Sequence, residues 1–339
     1  MSVPTREWQL VRRPHGEPVD EDFRLVSADR PDPAPGQVVV RTIAMSVDPY
    51  MRGRMNEGPS YAPRWELGET MQGGAVGQVV DSRAEAVPEG ALVLHGSGWR
   101  DVAVLDASAV SVVEALPGLP LTLHLGALGM PGLTAWAGLF RLADFRAGDT
   151  VFVSGAAGAV GSLAGQFARL RGAARVIGSA GTPEKVRWLG SLGFDAAFDY
   201  HDGAVADLLA RAAPEGIDVF FDNVGGEHLE AAIGAFRTFG RAALCGSIAS
   251  YNAVSAPPGP RNLGLCVGKQ LSLRGFIVSS HYDLRAEFVS AVSGWLRDGS
   301  LVARETVVDG LENAVDAFRD LLRGGNTGKM VVRLAPDPG

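Results

Sequence analysis

The stretch that decides the fold is Val151-Phe-Val-Ser-Gly-Ala-Ala-Gly-Ala-Val-Gly161. An apolar run predicts a strand, the glycines predict a tight turn, and Ala159 to Arg171 suits a helix. The pattern Ala156-x-Gly158-x-x-Gly161 is a relaxed dinucleotide-binding fingerprint, in which the helix N-terminus offers N–H groups to a pyrophosphate. The sequence therefore predicts cofactor contacts at Ala157, Gly158, Ala159, Val160 and Gly161.

Strands and helices alternate after this loop, which predicts an α/β domain with a parallel sheet covered on both faces. Predicted strands there are Thr150–Ser154, Ala174–Gly178, Ala196–Tyr200, Ile217–Phe221, Arg241–Cys245 and Leu271–Val278; predicted helices are Pro183–Gly190, Ala204–Ala212, Glu227–Phe236 and Leu284–Arg297. The first third and the tail instead show short strands and turns, with an irregular loop over Asp48–Glu69. We therefore expect a β-rich domain, residues 1–125 and 305–339, interrupted by a doubly wound domain, residues 126–304.

Composition narrows the class of protein. The chain has 339 residues, 31 Lys+Arg against 38 Asp+Glu, and a net charge of −7. This balance argues against nucleic acid or an anionic membrane as a partner. Two cysteines exclude a disulfide framework, and the first residues lack the apolar core of a secretory signal. We expect a soluble cytoplasmic protein.

The second strand of the doubly wound domain indicates which dinucleotide binds. An NAD site usually has an acid that accepts from the ribose 2′-OH, but Val176-Ile-Gly-Ser-Ala-Gly181 has none. Lys185 follows closely, and only three of the 31 basic residues are lysines (Lys185, Lys269 and Lys329). A cation without the acid favours a 2′-phosphate, so we predict NADPH with contacts at Ser179 and Lys185. The alternative for Lys185 is a solvated helix cation.

Several further motifs carry a family resemblance over nearly the whole chain. They are Val47-Asp-Pro-Tyr-Met-Arg52, Gly129-Met-Pro-Gly-Leu-Thr-Ala135, Glu184-Lys185, Phe221-Asp-Asn-Val-Gly-Gly226, Cys245-Gly246, Tyr251-Asn252 and Asn326-Thr-Gly-Lys329. With these motifs the sequence resembles the zinc-free, NADPH-dependent double-bond reductases of the medium-chain dehydrogenase/reductase superfamily. The resemblance implies a GroES-like domain with an inserted Rossmann domain, and commonly a homodimer.

A catalytic metal is not expected. Where zinc members of the superfamily carry Gly-His-Glu, this chain reads Thr70-Met-Gln-Gly-Gly-Ala75, and Val47 or a neighbour fills the cysteine position. Reduction of an activated C=C bond needs no metal, because hydride attacks the β carbon and hydrogen-bond donors stabilise the enolate.

The resemblance also implies roles for single residues. Lys185 and Tyr200 would lie at the adenosine 2′-phosphate, and Asn223 would lie beside the nicotinamide ribose. Other implied cofactor contacts are Met130, Thr134, Cys245, Gly246, Ser247, Tyr251, Phe276, Ile277, Val278 and Asn326. The alternatives are ordinary ones: a core tyrosine, a turn-forming asparagine, helix-start packing or sheet core. Cys245 is interpreted as a packed residue rather than a nucleophile.

The proton donor is less well specified by the sequence. Some members carry a tyrosine in the segment that here reads Leu265-Cys-Val-Gly-Lys-Gln270, where Gly268 takes its place. Tyr50 is the nearest alternative acid, and the ribose 2′-OH and solvent are others. We predict a substrate pocket with Tyr50, Tyr61 and Tyr251.

The leading hypothesis is an enzyme, an NADPH-dependent reductase of the C=C bond of α,β-unsaturated ketones or aldehydes. One alternative is an NADPH quinone reductase of the same superfamily. Another is a non-catalytic NADPH-binding protein, since a fold does not guarantee activity.

Overall fold

The structure is a computed structural model that describes residues 4–58 and 60–337. Residues 1–3, Pro59 and residues 338–339, which fall within the predicted domain ranges and the predicted irregular loop, lie outside the described residues. The chain divides into two units. The first is Met1–Leu125, Glu305–Asn326 and Met330–Gly339, and the second is Gly126–Arg304 and Thr327–Lys329.

The regular elements are numbered along the chain. The strands are β1 (Pro4–Leu10), β2 (Phe23–Asp29), β3 (Gln37–Ser46), β4 (Ala75–Ser82), β5 (Leu92–His95), β6 (Val102–Asp106), β7 (Val110–Val112), β8 (Thr150–Val153), β9 (Arg175–Ala180), β10 (Ala196–Asp199), β11 (Ile217–Asp222), β12 (Phe236–Leu244), β13 (Ser272–Gly275), β14 (Glu305–Asp309) and β15 (Lys329–Arg333). The α-helices are α1 (Met130–Trp136), α2 (Ala159–Leu170), α3 (Pro183–Ser191), α4 (Val205–Ala212), α5 (Gly226–Ala235), α6 (Leu265–Lys269), α7 (Arg285–Arg297) and α8 (Ala314–Leu322). None of the described helices has the length and apolarity that a membrane span needs.

The first unit is built on a seven-stranded sheet in which β3, ten residues long, pairs with β4, β6 and β15. All three pairings are antiparallel. The separate pair β1–β2 is also antiparallel. Trp99 belongs to the apolar core of this unit and is fully buried. Its ring lies edge-on to the rings of Trp65 and Phe318, with ring centres 5.9 and 6.1 Å apart. Such edge-on pairs add to the stability that burial alone gives.

The second unit contains a six-stranded parallel sheet in the order β10-β9-β8-β11-β12-β13. This is the 3-2-1-4-5-6 order of the Rossmann fold when its strands are numbered from β8. The four residues of β8 are all buried, as expected for a central strand with helices on both faces. Phe152 of β8 stacks on Phe220 of β11 at 5.0 Å inside an apolar cluster that also takes Phe198. The predicted α/β fold class is therefore confirmed.

Some local predictions were wrong. Strand β13 ends at Gly275, so Phe276 and Ile277 follow the strand and Val278 opens a short helical segment, Val278–Leu284. The predicted loop over Asp48–Glu69 contains a 3-10 helix, Pro49–Met55, which starts where proline is favoured. Helix α1 continues as a π-helical segment, Ala137–Leu142.

Candidate active site

The strand order reverses between β8 and β11 of the parallel sheet. Open α/β sheets bind ligands at this switch point, in the crevice beyond the carboxyl ends of the strands. Here the loop after β8 covers residues 154–158 and the loop after β11 covers residues 223–225. These two loops define the candidate coenzyme site of the second unit.

The loop after β8 forms a backbone cradle. The Gly158 N–H donates to the Gly155 carbonyl at 3.1 Å, and α2 begins at the next residue. Gly158 is the N-cap and supplies no capping side chain. The first N–H groups of any α-helix lack acceptors within that helix, and its N-terminus carries the positive end of the dipole. The predicted residues 157–161 therefore come together in a turn that fits a pyrophosphate.

Gly328, which belongs to the quoted motif Asn326-Thr-Gly-Lys329, lies against this cradle. The Gly328 N–H donates to the Ala157 carbonyl at 2.8 Å, and Gly328 also forms an isolated bridge with Gly158. Asn326 stands two residues earlier and is buried. The short backbone-to-backbone contact had no sequence signal beyond the glycine itself, and the cofactor contact of Asn326 stays a prediction.

Lys185 and Tyr200 occupy one corner of the second unit. Thr182 caps α3 by accepting from the Lys185 N–H at 3.2 Å, and the Tyr200 N–H donates to the Ala180 carbonyl at 3.0 Å. A methyl group on Gly181 would lie 2.9 Å from the Tyr200 hydroxyl, so this phenol lies over the strand end from which α3 begins. The corner joins a cation, a phenol and a helix N-terminus, and this set suits a phosphate.

The Tyr200 ring contacts two histidines. His228 lies edge-on to the Tyr200 ring at 5.5 Å, and burial lowers the pKa of His228 to about 4. His201 lies 4.2 Å from the same ring, and its Nδ1 is 2.9 Å from the Asp199 carboxylate. Burial, with a smaller effect of Asp199, raises the pKa of Tyr200. The Tyr200 phenol therefore stays protonated at neutral pH and can donate to a phosphate oxygen.

Ser179, a predicted cofactor contact, lies inside the sheet. It is fully buried within β9, and its hydroxyl has no hydrogen-bond partner among the described residues. Its carbonyl accepts from the Ala156 N–H at 2.8 Å, which ties β9 to the loop after β8. The contact of the Ser179 side chain with a cofactor remains a prediction.

The loop after β11 is held by Asp222 and Ser154. The Ser154 hydroxyl donates to Asp222 Oδ1 at 2.8 Å and accepts from the Asn223 N–H at 2.9 Å. Burial raises the pKa of Asp222, partly offset by hydrogen bonds from Gly225, Val224 and Ser154. Both residues lie within the quoted motifs, but no role was predicted for either. The available signal was a polar residue at the carboxyl end of each central strand, Ser154 directly after β8 and Asp222 as the last residue of β11.

The predicted residues after β12 lie next to this loop. The N–H groups of Cys245 and Gly246 donate to the Asp222 carbonyl at 2.8 and 3.1 Å, and the Ser247 N–H donates to the Tyr251 hydroxyl at 3.5 Å. Desolvation and the nearby Asp222 carboxylate raise the pKa of Cys245 to about 12. A thiol with this pKa is protonated at neutral pH, which supports a packed cysteine rather than a nucleophile.

Met130, Thr134 and Phe276 also belong to the second unit. Met130 opens α1, and the Thr134 hydroxyl donates to the Met130 carbonyl at 2.7 Å, so this hydroxyl is used inside the helix. A methyl group on Gly138 would lie 2.5 Å from the Phe221 ring and 2.8 Å from the Phe276 ring. Phe276 therefore packs beside β11, whereas Ile277 is 40% exposed.

Tyr50 and Tyr61 belong to the first unit. Tyr50 lies on the 3-10 helix Pro49–Met55, packs against the apolar core and accepts a hydrogen bond from the Arg54 guanidinium. Arg54 is fixed in turn by the Pro63 carbonyl at 2.6 Å and by Trp65, whose ring centre lies 5.1 Å away. Tyr61 is 63% exposed. The Tyr50 side chain is therefore held by packing and by a hydrogen bond, whereas the Tyr61 side chain is largely exposed to solvent.

Metal-ligating side chains are dispersed. In the part of the chain that the structure describes, no three His, Cys, Asp or Glu side chains are placed to hold a metal ion together.

Comparison with known proteins shows the family of this chain. Residues 6–113 match a family described as the N-terminal domain of oxidoreductase, and residues 159–293 match one described as zinc-binding dehydrogenase. An NADPH-dependent curcumin reductase of Escherichia coli (strain K12) is 42% identical over 338 residues, 98% of this chain and 97% of the relative. Prostaglandin reductase 1 of Oryctolagus cuniculus is 39% identical over 96% of this chain and 93% of the relative.

A solved structure extends the comparison to three dimensions. CurA from Vibrio vulnificus in complex with NADPH superposes with a TM-score of 0.92 at 40% identity, over 98% of this chain and 100% of that chain. The chain therefore belongs to the medium-chain dehydrogenase/reductase superfamily. Within it, the chain belongs to the subgroup that holds the prostaglandin and curcumin reductases, and this confirms the resemblance seen in the motifs.

Proposed function

We propose that this protein is an NADPH-dependent oxidoreductase that reduces the C=C bond of α,β-unsaturated ketones or aldehydes. The observation that carries the proposal is the layout of the carboxyl edge of the second unit. Lys185 and Tyr200 lie beyond β9 and β10, the phosphate cradle lies beyond β8, and Asn223 lies beyond β11. A dinucleotide with a 2′-phosphate fits this series of sites from one end to the other. The NADPH named for the similar proteins supports the same coenzyme.

The proposed roles of the two units follow from their residues. The second unit binds the coenzyme, and the first, a GroES-like unit, contributes Tyr50 to substrate. NADPH, when bound, supplies the hydride that adds to the β carbon. The cradle N–H groups hold the pyrophosphate. Lys185 offsets the charge of the 2′-phosphate, and the Tyr200 phenol donates a hydrogen bond to it. Tyr50 donates a proton to the enolate oxygen or the α carbon. We propose that no metal takes part, which the dispersed metal-ligating side chains of the described residues support.

Initial rates of NADPH oxidation test this function. We expect turnover with enones of several chain lengths and little with a quinone. Turnover with the quinone alone would instead indicate the quinone reductase. NADPH binding without turnover of any acceptor would favour the non-catalytic protein.

Replacement of Tyr50 by Phe tests the proton donor. We expect kcat with an enone to fall about 10- to 100-fold. A positioned general acid contributes about 10²–10⁴-fold, and the ribose hydroxyl or solvent can replace part of that contribution in the variant. The dissociation constant for NADPH should stay within about twofold, since the phenol is assigned to substrate. Tyr282→Phe, at a phenol on a residue that is 55% exposed in the second unit, is the matched control. A Tyr50→Phe enzyme with unchanged kcat would show that the ribose hydroxyl or solvent supplies the proton.

The proposed assembly is a cytoplasmic homodimer without nucleic-acid or membrane partners. Both cysteines are free, as expected in a reducing compartment. Strand β13 ends the parallel sheet, and Leu263, Leu265 and Val267 are exposed apolar residues of the same unit, Val267 at 82%. An exposed sheet edge beside exposed apolar side chains is suited to pairing with a second copy. Light scattering of the purified protein should give twice the chain mass of 35.5 kDa, and a mass of one chain would contradict the dimer.

A further inference from the structure

Asp222 is buried at the switch point, where a carboxylate needs a specific reason to be retained. It ends β11 and is 1% exposed. Its Oδ1 accepts from the Ser154 hydroxyl at 2.8 Å, the Val224 N–H at 3.0 Å and the Gly225 N–H at 2.9 Å. The side chain therefore fixes the turn that follows β11 and joins it to the end of β8.

Ser154, which is held by Asp222, in turn holds Asn223 through two hydrogen bonds. Its hydroxyl accepts from the Asn223 N–H at 2.9 Å, and its carbonyl accepts from Asn223 Nδ2 at 2.7 Å. Both the backbone and the side chain of Asn223 are thus held by one residue. Because Nδ2 must face the Ser154 carbonyl, the amide oxygen faces the other way and can accept a further hydrogen bond.

The order of the strands indicates which part of the coenzyme would lie near the Asn223 amide oxygen. The strands run β10-β9-β8-β11, with the Lys185 and Tyr200 corner at the ends of β9 and β10 and the pyrophosphate cradle at the end of β8. A dinucleotide whose 2′-phosphate lies at that corner has its adenosine half over β9 and its pyrophosphate over β8. Its second ribose then lies beyond the cradle, at the end of β11.

We propose that Ser154 and Asp222 form a positioning pair that orients the Asn223 amide oxygen toward a hydroxyl of the nicotinamide ribose. The pair acts through Asn223 and touches no reacting atom. This inference rests on the proposed coenzyme and goes beyond it, because it assigns the orientation of the hydride-donating half to two residues of the chain.

The same strand offers a matched control. Asp218, also on β11, accepts from the Thr150 N–H at 2.8 Å and from Arg237 at 2.8 Å. It therefore links β11 to β8 as Asp222 does, but at the amino end of the two strands. A loss that arises only from weakened strand linkage would appear in Asp218→Asn as well.

Two ligands separate positioning from general damage. NADPH carries both halves of the coenzyme, whereas adenosine 2′,5′-bisphosphate carries only the adenosine half with its 2′-phosphate. We expect Ser154→Ala and Asp222→Asn to bind NADPH about tenfold more weakly, about the effect of one lost hydrogen bond. Both should bind the bisphosphate within about twofold of the unchanged protein, and Asp218→Asn should bind both ligands nearly normally.

A double-mutant cycle completes the test. Asn223→Ala should weaken NADPH binding to a similar degree, and the Ser154→Ala/Asn223→Ala protein should lose no more than Asn223→Ala alone, because the pair acts through that side chain. Unchanged NADPH binding in Ser154→Ala and Asp222→Asn would overturn the proposal, as would equal losses for both ligands. Failure of the unchanged protein to bind either ligand would instead overturn the proposed coenzyme, and this inference with it. Should Ser154→Ala fail to fold, Asp222→Asn and Asn223→Ala carry the comparison alone.

Discussion

Lys185→Ala should weaken NADPH binding about 10- to 100-fold and leave NADH binding within about twofold. Lys185 belongs to the first turn of α3, and the Tyr200 phenol lies over Gly181, two residues before that helix begins. A charge-assisted hydrogen bond to a phosphate contributes about 1.5–3 kcal/mol, and NADH lacks that phosphate. Titration of the reduced-nicotinamide fluorescence with each coenzyme measures both constants.

The control for Lys185 is another lysine of the second unit. Lys269 Nζ donates to the Gly234 carbonyl at 2.6 Å, near the end of α5. Lys269→Ala removes the same charge and should leave the preference for NADPH over NADH unchanged. Equal losses of NADPH and NADH affinity in Lys185→Ala would show that Lys185 is a solvated helix cation, the alternative that the sequence left open.

Gly161→Ala should weaken the binding of NADPH and NADH alike, by at least about tenfold. The added methyl would lie 2.5 Å from the Gly155 carbonyl oxygen and 2.8 Å from Ala156 Cα. Both are backbone atoms, so α2 has to move away from the loop and the cradle has to open. Overpacking of this kind typically costs about 1–3 kcal/mol, so the melting temperature should fall as well.

Gly190 of α3 provides the comparison for Gly161. A methyl there meets nothing within 4 Å, and alanine in a helix is favoured over glycine by about 1 kcal/mol. Gly190→Ala should therefore be neutral or stabilising and should bind both coenzymes normally. If Gly161→Ala also bound both coenzymes normally, the loop after β8 would not be the pyrophosphate cradle.

The sequence predicted the parallel sheet well because buried central strands and helix starts have strong local signals. Thr150–Ser154 and Ala159–Arg171 differ from β8 and α2 by a single residue each. The ends of elements were harder to predict. The helix predicted over Glu227–Phe236 ends at Ala235, and β12 starts at the next residue, because Phe236 is held by the neighbouring β11 through pairing with Ile217.

Parts of the candidate site depend on contacts between distant residues, which a single sequence does not reveal. Ser154 and Asp222 are 68 positions apart, and only the pairing of β8 with β11 brings them together. Gly328 reaches Ala157 in the same way. By contrast, Lys185 was predicted from local composition, because the missing acid and a rare lysine are close in the chain, and its role stays a prediction.

The most direct test of the proposed reaction follows the hydride from C4 of NADPH into the product. The protein is incubated with 4-phenylbut-3-en-2-one and NADPH that carries deuterium at C4, using each C4 stereoisomer in turn, and the product is analysed by mass spectrometry and NMR. We expect the saturated ketone, with deuterium on the β carbon for one stereoisomer. An allylic alcohol with deuterium on the former carbonyl carbon, or no product at all, would contradict the proposed reaction.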